Sequence, residues 1–238
     1  MNKKLLILMI VFVFIASSPA FAIESFTLGL KYWYPTWELE DTEYDTVAGM
    51  FGPAATLVLS ERVAVTMSLF VGQFEYSGTD YSGYDFSFES TRTDMDLAGA
   101  FIINQYVNVF GGIKVINFSE TNSSSAGDVD QDLSAYGPGL GVGGNFPIGE
   151  TRFSVYGTLA YTYLFGSFDV GDDSADLIYP IISFELGCTY SLENMPLVFA
   201  ASYRYQQSSI DVEFDGGTIT WDETFSGPIL YAGYRFGG

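Results

Sequence analysis

A period of two dominates this chain. Ser25 to Tyr34 reads SFTLGLKYWY, with Phe26, Leu28, Leu30, Tyr32 and Tyr34 on one face and Thr27, Gly29, Lys31 and Trp33 on the other. Successive side chains of an extended strand point to opposite faces, so this pattern predicts a strand with one oily and one mixed face. The pattern recurs around Val63–Val71, Asp94–Phe101, Val107–Ile116, Phe153–Tyr163 and Leu197–Gln206. Residues 47–60, 134–146, 178–190 and 225–236 are further candidates, giving about ten strands. No amphipathic helical stretch of useful length interrupts them.

The spacers alternate between short and long. Ser60-Glu61-Arg62, 103–106, 147–151 and 191–196 are short; about 35–46, 75–90, 119–133, 166–177 and 207–224 are long. Short turns at one end and long polar loops at the other predict a closed, antiparallel, up-and-down transmembrane β-barrel of ten strands, with eight as the runner-up. A soluble sandwich would carry Lys and Glu on its second face. Here that face is Gly, Ala, Ser, Thr and Asn, and the oily face ends in Tyr and Phe. Pro53, Pro138, Pro180 and Pro228 form a weak repeat near the start of descending strands. Lacking an N–H, they are expected near a rim or at bulges.

Composition excludes several function classes. Nine basic residues against 29 acidic ones, a net charge of −20 over 238 residues, would repel nucleic-acid phosphate. One cysteine allows no internal disulfide framework and no multi-cysteine zinc site. No histidine is present, which removes every imidazole mechanism.

Residues 1–22, MNKKLLILMIVFVFIASSPAFA, have a charged start at Lys3 and Lys4, an apolar run from Leu5 to Ile15, and Ala20-Phe21-Ala22 as a small-x-small cleavage pattern. They are read as a cleaved secretory signal, leaving residues 23–238 as one barrel domain. The run is shorter than the roughly 20 residues of a spanning helix.

Residues 225–236 read FSGPILYAGYRF, with Leu230, Ala232, Tyr234 and Phe236 alternating toward a final aromatic. This strand resembles the carboxy-terminal assembly signal of Gram-negative outer-membrane barrels. The mature chain as a pattern resembles small OmpA-like and opacity-type barrel proteins. In that family the aromatic residue is normally last; here Gly237 and Gly238 follow it. The resemblance implies outer-membrane localisation, insertion by the barrel-assembly machinery, and contact with outer-membrane lipid and lipopolysaccharide. It implies no activity, since fold does not fix function. Lipid deacylases, phospholipases and omptin-type proteases of similar architecture each rely on a histidine, so a non-enzymatic role is expected.

Seven charged residues have lumen parity: Lys31, Asp94, Asp96, Lys114, Glu185, Arg204 and Arg235. Symmetric pairing about the turns places Asp96 opposite Lys114, and Glu185 opposite Ser202, one diagonal step from Arg204. The expectation is a salt-bridged plug in a structural or surface-interaction protein. The alternative is a narrow, porin-like path for small solutes or cations.

The long spacers hold 22 of the 29 acidic residues and no Lys or Arg. Asp128, Asp130 and Asp132 have the opening spacing of a calcium loop. Leu133 stands where the turn glycine belongs and Gly139 where the bidentate Glu belongs, so an EF-hand is excluded. A looser external Ca2+ or Mg2+ site is the weaker expectation, with Asp172, Asp173 and Asp176 a similar candidate; no other cofactor is expected. Tyr76, Tyr81, Tyr84, Phe86 and Phe88 would suit surface recognition.

Overall fold

The computed structural model describes residues 23–39, 46–47, 49–79, 85–124, 127–171, 173–214 and 217–237. The proposed signal, 1–22, lies outside them. The described residues form one antiparallel sheet of twelve segments: β1 (Ser25–Trp33), β2 (Thr36–Leu39), β3 (Thr46–Val47), β4 (Gly49–Ser60), β5 (Val63–Thr79), β6 (Asp85–Asn104), β7 (Val107–Ser124), β8 (Gly127–Pro147), β9 (Phe153–Val170), β10 (Asp173–Ser191), β11 (Leu197–Phe214) and β12 (Gly217–Phe236). From β4 onward each pairs with its sequence neighbour, and β1 pairs with β4 on one edge and β12 on the other. The sheet is therefore an up-and-down ring. Tyr34 and Pro35 part β1 from β2, which extends the same ladder on β12 from Ser226 to Glu223.

The faces fall as the alternation predicts. Leu30, Leu140 and Leu230 are 66%, 68% and 58% exposed on the outside, while Trp33 and Phe70 are fully buried inside. The outer apolar belt has clear edges. On β9 it runs through Phe153, Val155, Leu159, Tyr161, Tyr163 and Phe165, then gives way to Ser167 and Asp169. On β8 it runs from Phe146 to Tyr136 and gives way to Ser134, Asp132 and Asp130.

The long spacers are not loops as expected. Strands β5 to β12 run 17 to 21 residues, whereas about 9–11 suffice to cross a bilayer. Most of 75–90, 119–133, 166–177 and 207–224 continues the ladder beyond the belt. Along one strand the hydrophobic parity inverts there. On β11, Phe199, Tyr203 and Tyr205 face out with Arg204 inside; farther along, Ile210 and Val212 are buried and Asp211 and Glu213 turn outward. The extension is thus built like a soluble barrel, wet outside and apolar within. Two buried clusters fill it, one around Leu164, Leu177, Tyr179, Ile210 and Val212, the other around Trp33, Trp37, Phe70, Phe74 and Phe225.

The four prolines sit in β4, β8, β10 and β12. Around Pro138, pairing with β9 skips from Tyr136↔Phe165 to Gly139↔Thr162 without a change of register. The missing N–H accounts for the skip. Gly137 accompanies it: a Cβ there would stand 2.0 Å from the Tyr163 carbonyl oxygen. Gly227, before Pro228, meets the Tyr34 carbonyl oxygen in the same way. Only glycine permits that approach.

Candidate functional site in the ring interior

Three layers fill the interior. At the short-turn end is a cavity of about 640 Å³ bordered by small residues such as Ala54, Ala64, Ala98, Ala100 and Ala160, with Lys31, Asp96, Lys114, Glu185, Arg204 and Arg235 around it. Above it lies a layer of buried side chains. Above that is a second cavity of about 390 Å³, mostly apolar, inside the extension.

The charged residues form two networks. In the first, the Lys114 ammonium donates to Asp94 at 3.2 Å and Asp96 at 3.1 Å. Asp96 and Lys114 are direct partners in the β6–β7 register, as symmetric pairing predicts. Arg92 donates to both Asp94 oxygens, Nε at 2.7 Å and Nη2 at 3.2 Å. Its Nη1 lies 3.8 Å from Glu223 Oε1. Glu223 also accepts from Trp37 Nε1 at 3.2 Å, Ser208 Oγ at 3.1 Å and the Tyr179 hydroxyl. Arg92, Asp94, Lys114 and Glu223 are all at most 5% exposed, so each charge needs these partners to offset its desolvation. The guanidinium carbon of Arg92 sits 3.9 Å from the centre of the Phe225 ring, a cation–π contact.

The second network centres on Glu185. Arg204 Nε and Nη2 donate to its Oε2 at 3.0 and 2.6 Å, and Tyr156 and Ser202 hydroxyls donate to Oε1 at 2.8 and 2.9 Å. Every oxygen of this carboxylate is thereby satisfied. The register corrects the expected pairing: Glu185 faces Arg204 directly, with Ser202 opposite Gly187. The hairpin is centred one residue further along the chain than symmetry about 191–196 assumes, with Leu192 N–H donating to the Leu197 carbonyl.

Lys31 borders the lower cavity but makes no ion pair within 4 Å among the described residues. Arg235 is exposed at its mouth, also without an ion pair among the described residues. Leu230, Ala232, Tyr234 and Phe236 all face outward, and the Phe236 ring stacks on Phe26 at 5.7 Å.

The sequence reading missed Arg92 and Glu223. Both stand where the strand pattern inverts, Glu223 inside a supposed loop and Arg92 two residues beyond one. The signal that could have found Arg92 is its even spacing with Asp94 and Asp96. With Arg92 in place both carboxylates are held by cations, Asp94 by Arg92 and Lys114 and Asp96 by Lys114.

Of the acidic candidates, Asp130, Asp132, Asp173 and Asp176 are exposed on the extension. Thr121 donates to Asp130 at 2.9 Å. The side chain of Asp128 lies outside the described residues, as do Asp172 and the side chains of residues 76–88 with their Tyr and Phe candidates. Among the described residues no three acidic, Cys or His side chains come together closely enough to hold a metal ion.

The ring is similar over 92% of its length to the outer-membrane protease OmpT from Escherichia coli, covering 99% of that chain at TM-score 0.55 and 11% identity. Over 96% it is similar to the translocator domain of the autotransporter NalP from Neisseria meningitidis, covering 95% of that domain at TM-score 0.52 and 13% identity. The fold is that of the outer-membrane β-barrels. Identities this low carry the fold alone. Ail, the attachment invasion locus protein of Yersinia pestis, matches over 89% of this chain and 98% of its own at TM-score 0.40 and 15% identity. No family model and no curated protein matches the sequence.

Proposed function

We propose that residues 23–238 form a closed barrel of ten staves in the outer membrane of a Gram-negative bacterium. Export by the signal at 1–22 comes first, then insertion by the barrel-assembly machinery. In this reading β1 with β2, and β3 with β4, each act as one stave. The belt lies in lipid and lipopolysaccharide, and the extension stands outside the cell with its acidic outer surface.

The role proposed is non-enzymatic: a structural or surface-interaction protein whose lumen is occluded. The observation that carries this is the buried layer at the belt's outer edge. Trp33, Phe70, Arg92, Asp94, Lys114 and Phe225 are each 5% exposed or less there, with both buried cations salt-bridged. An ion would have to displace paired, packed groups to pass. The absence of histidine supports the non-enzymatic reading.

A narrow channel is the second reading. The 640 Å³ charge-lined cavity below the layer favours it, being a ready vestibule. Planar-bilayer recording separates the two. The occluded barrel gives no step conductance while running as a heat-modifiable folded band on a semi-native gel. Steps that disappear on changing Asp96 or Lys114 would establish the channel.

A further inference from the structure

The 390 Å³ upper cavity has no role in either reading. Its walls are rings and aliphatic chains from strands all around the barrel: Trp37, Phe118, Phe168, Ile210 and Trp221, with Phe214 and Ile219 exposed at the mouth. Its volume is that of a small-molecule pocket, apolar with few polar groups.

Those polar groups are unbalanced in charge. Arg92 at the floor is already claimed by Asp94 and lies beside Glu223. Glu120 reaches the same cavity and has no hydrogen-bonding or ionic side-chain partner among the described residues. The charged residues lining this cavity are two carboxylates, Glu120 and Glu223, and one cation, Arg92, which Asp94 already holds. The outer surface above the belt is acidic as well, so the field around the mouth draws cations inward.

We propose that this cavity binds a small organic cation with an aromatic or branched apolar body, its ammonium set between the rings and the Glu120 carboxylate. Each part of such a ligand has a counterpart. The apolar body replaces water against Ile210, Phe118 and Phe168. The positive head gains the half-buried Trp221 ring and the one carboxylate that lacks a cation. An anion would meet Glu120 and Glu223. A neutral solute would leave Glu120 desolvated and unpaired. Partial burial among apolar walls already pushes the Glu120 carboxyl above its ordinary range, the mark of an acid without a counter-charge.

Benzyltrimethylammonium is a suitable probe, titrated into the full folded chain in zwitterionic micelles. Tryptophan fluorescence reports directly, because two of the three tryptophans line the cavity. Saturable quenching by the cation is expected, with benzyl alcohol and phenylacetate weaker by about fivefold or more. Glu120→Gln and Ile219→Arg should each weaken the cation by a similar factor, about fivefold. Ile219 is exposed at the mouth, so its replacement leaves the core intact. Ile148→Arg, in the turn at the opposite end, should bind as the parent does. Equal binding of the neutral or anionic probe, no saturable cation binding, or unchanged affinity in both cavity variants would overturn the proposal. Since none of these readouts involves conductance, they fail or succeed independently of the lumen's transport state.

Discussion

Arg92 and Glu223 approach to 3.8 Å across the lumen although they lie on β6 and β12, strands that do not pair. The contact ties opposite walls through the middle of the barrel, with Asp94 completing the Arg92 shell. Removing one member of a buried ionic set leaves the others uncompensated. Arg92→Met should therefore destabilise the barrel by about 3–5 kcal/mol, and combining it with Asp94→Asn and Glu223→Gln should restore much of the loss. Urea unfolding followed by tryptophan fluorescence in lipid vesicles measures both. A triple variant as unstable as Arg92→Met alone would show that charge compensation is not what holds the layer.

The belt boundary predicts position-dependent costs on the outer face. Leu140→Arg, within the belt, should cost about 2–4 kcal/mol, and Gln207→Arg, outward on the extension, about 1 kcal/mol or less. Unfolding of the two variants in the same vesicles tests this. Similar penalties at both sites would place the bilayer wrongly.

Gly137 has no room for a side chain beside the Tyr163 carbonyl. Gly137→Ala should destabilise by about 1–3 kcal/mol through overpacking, whereas Pro138→Ala, on the outer face, should change stability by under about 1 kcal/mol. The fraction running as a folded band after stepwise urea treatment reads the difference.

Glu120 gives a pH dependence outside the belt. Its carboxyl is raised in the folded state by desolvation. The folded chain therefore holds the proton to a higher pH than the unfolded chain does. The stabilisation this brings is complete in acid and is lost as pH rises through the folded value. Glu120→Gln cannot titrate, so its stability advantage over the parent should grow between pH 4 and pH 7. Equal urea midpoint differences at the two pH values would contradict the desolvation.

Much of the barrel was legible because alternation is a local property. The parity of Phe26 to Tyr34, or of Phe153 to Tyr163, already divides outside from inside, and a four-residue turn already sets Asp96 against Lys114. The extension was not legible in the same way. There the oily parity passes from Tyr203 and Tyr205 to Ile210 and Val212, so a reader following one face sees the pattern end and infers a loop.

The sequence by itself determined the strands within the apolar belt and the register across the turn at 103–106, since each depends on residues close together in the chain. Tertiary structure alone decided that Arg92 reaches Glu223, that Glu185 faces Arg204, and that Trp37, Phe118, Phe168 and Trp221 enclose one cavity with Glu120. Those meetings depend on the order and stagger of strands around a ring, and no local pattern encodes which side chains will face one another across its interior.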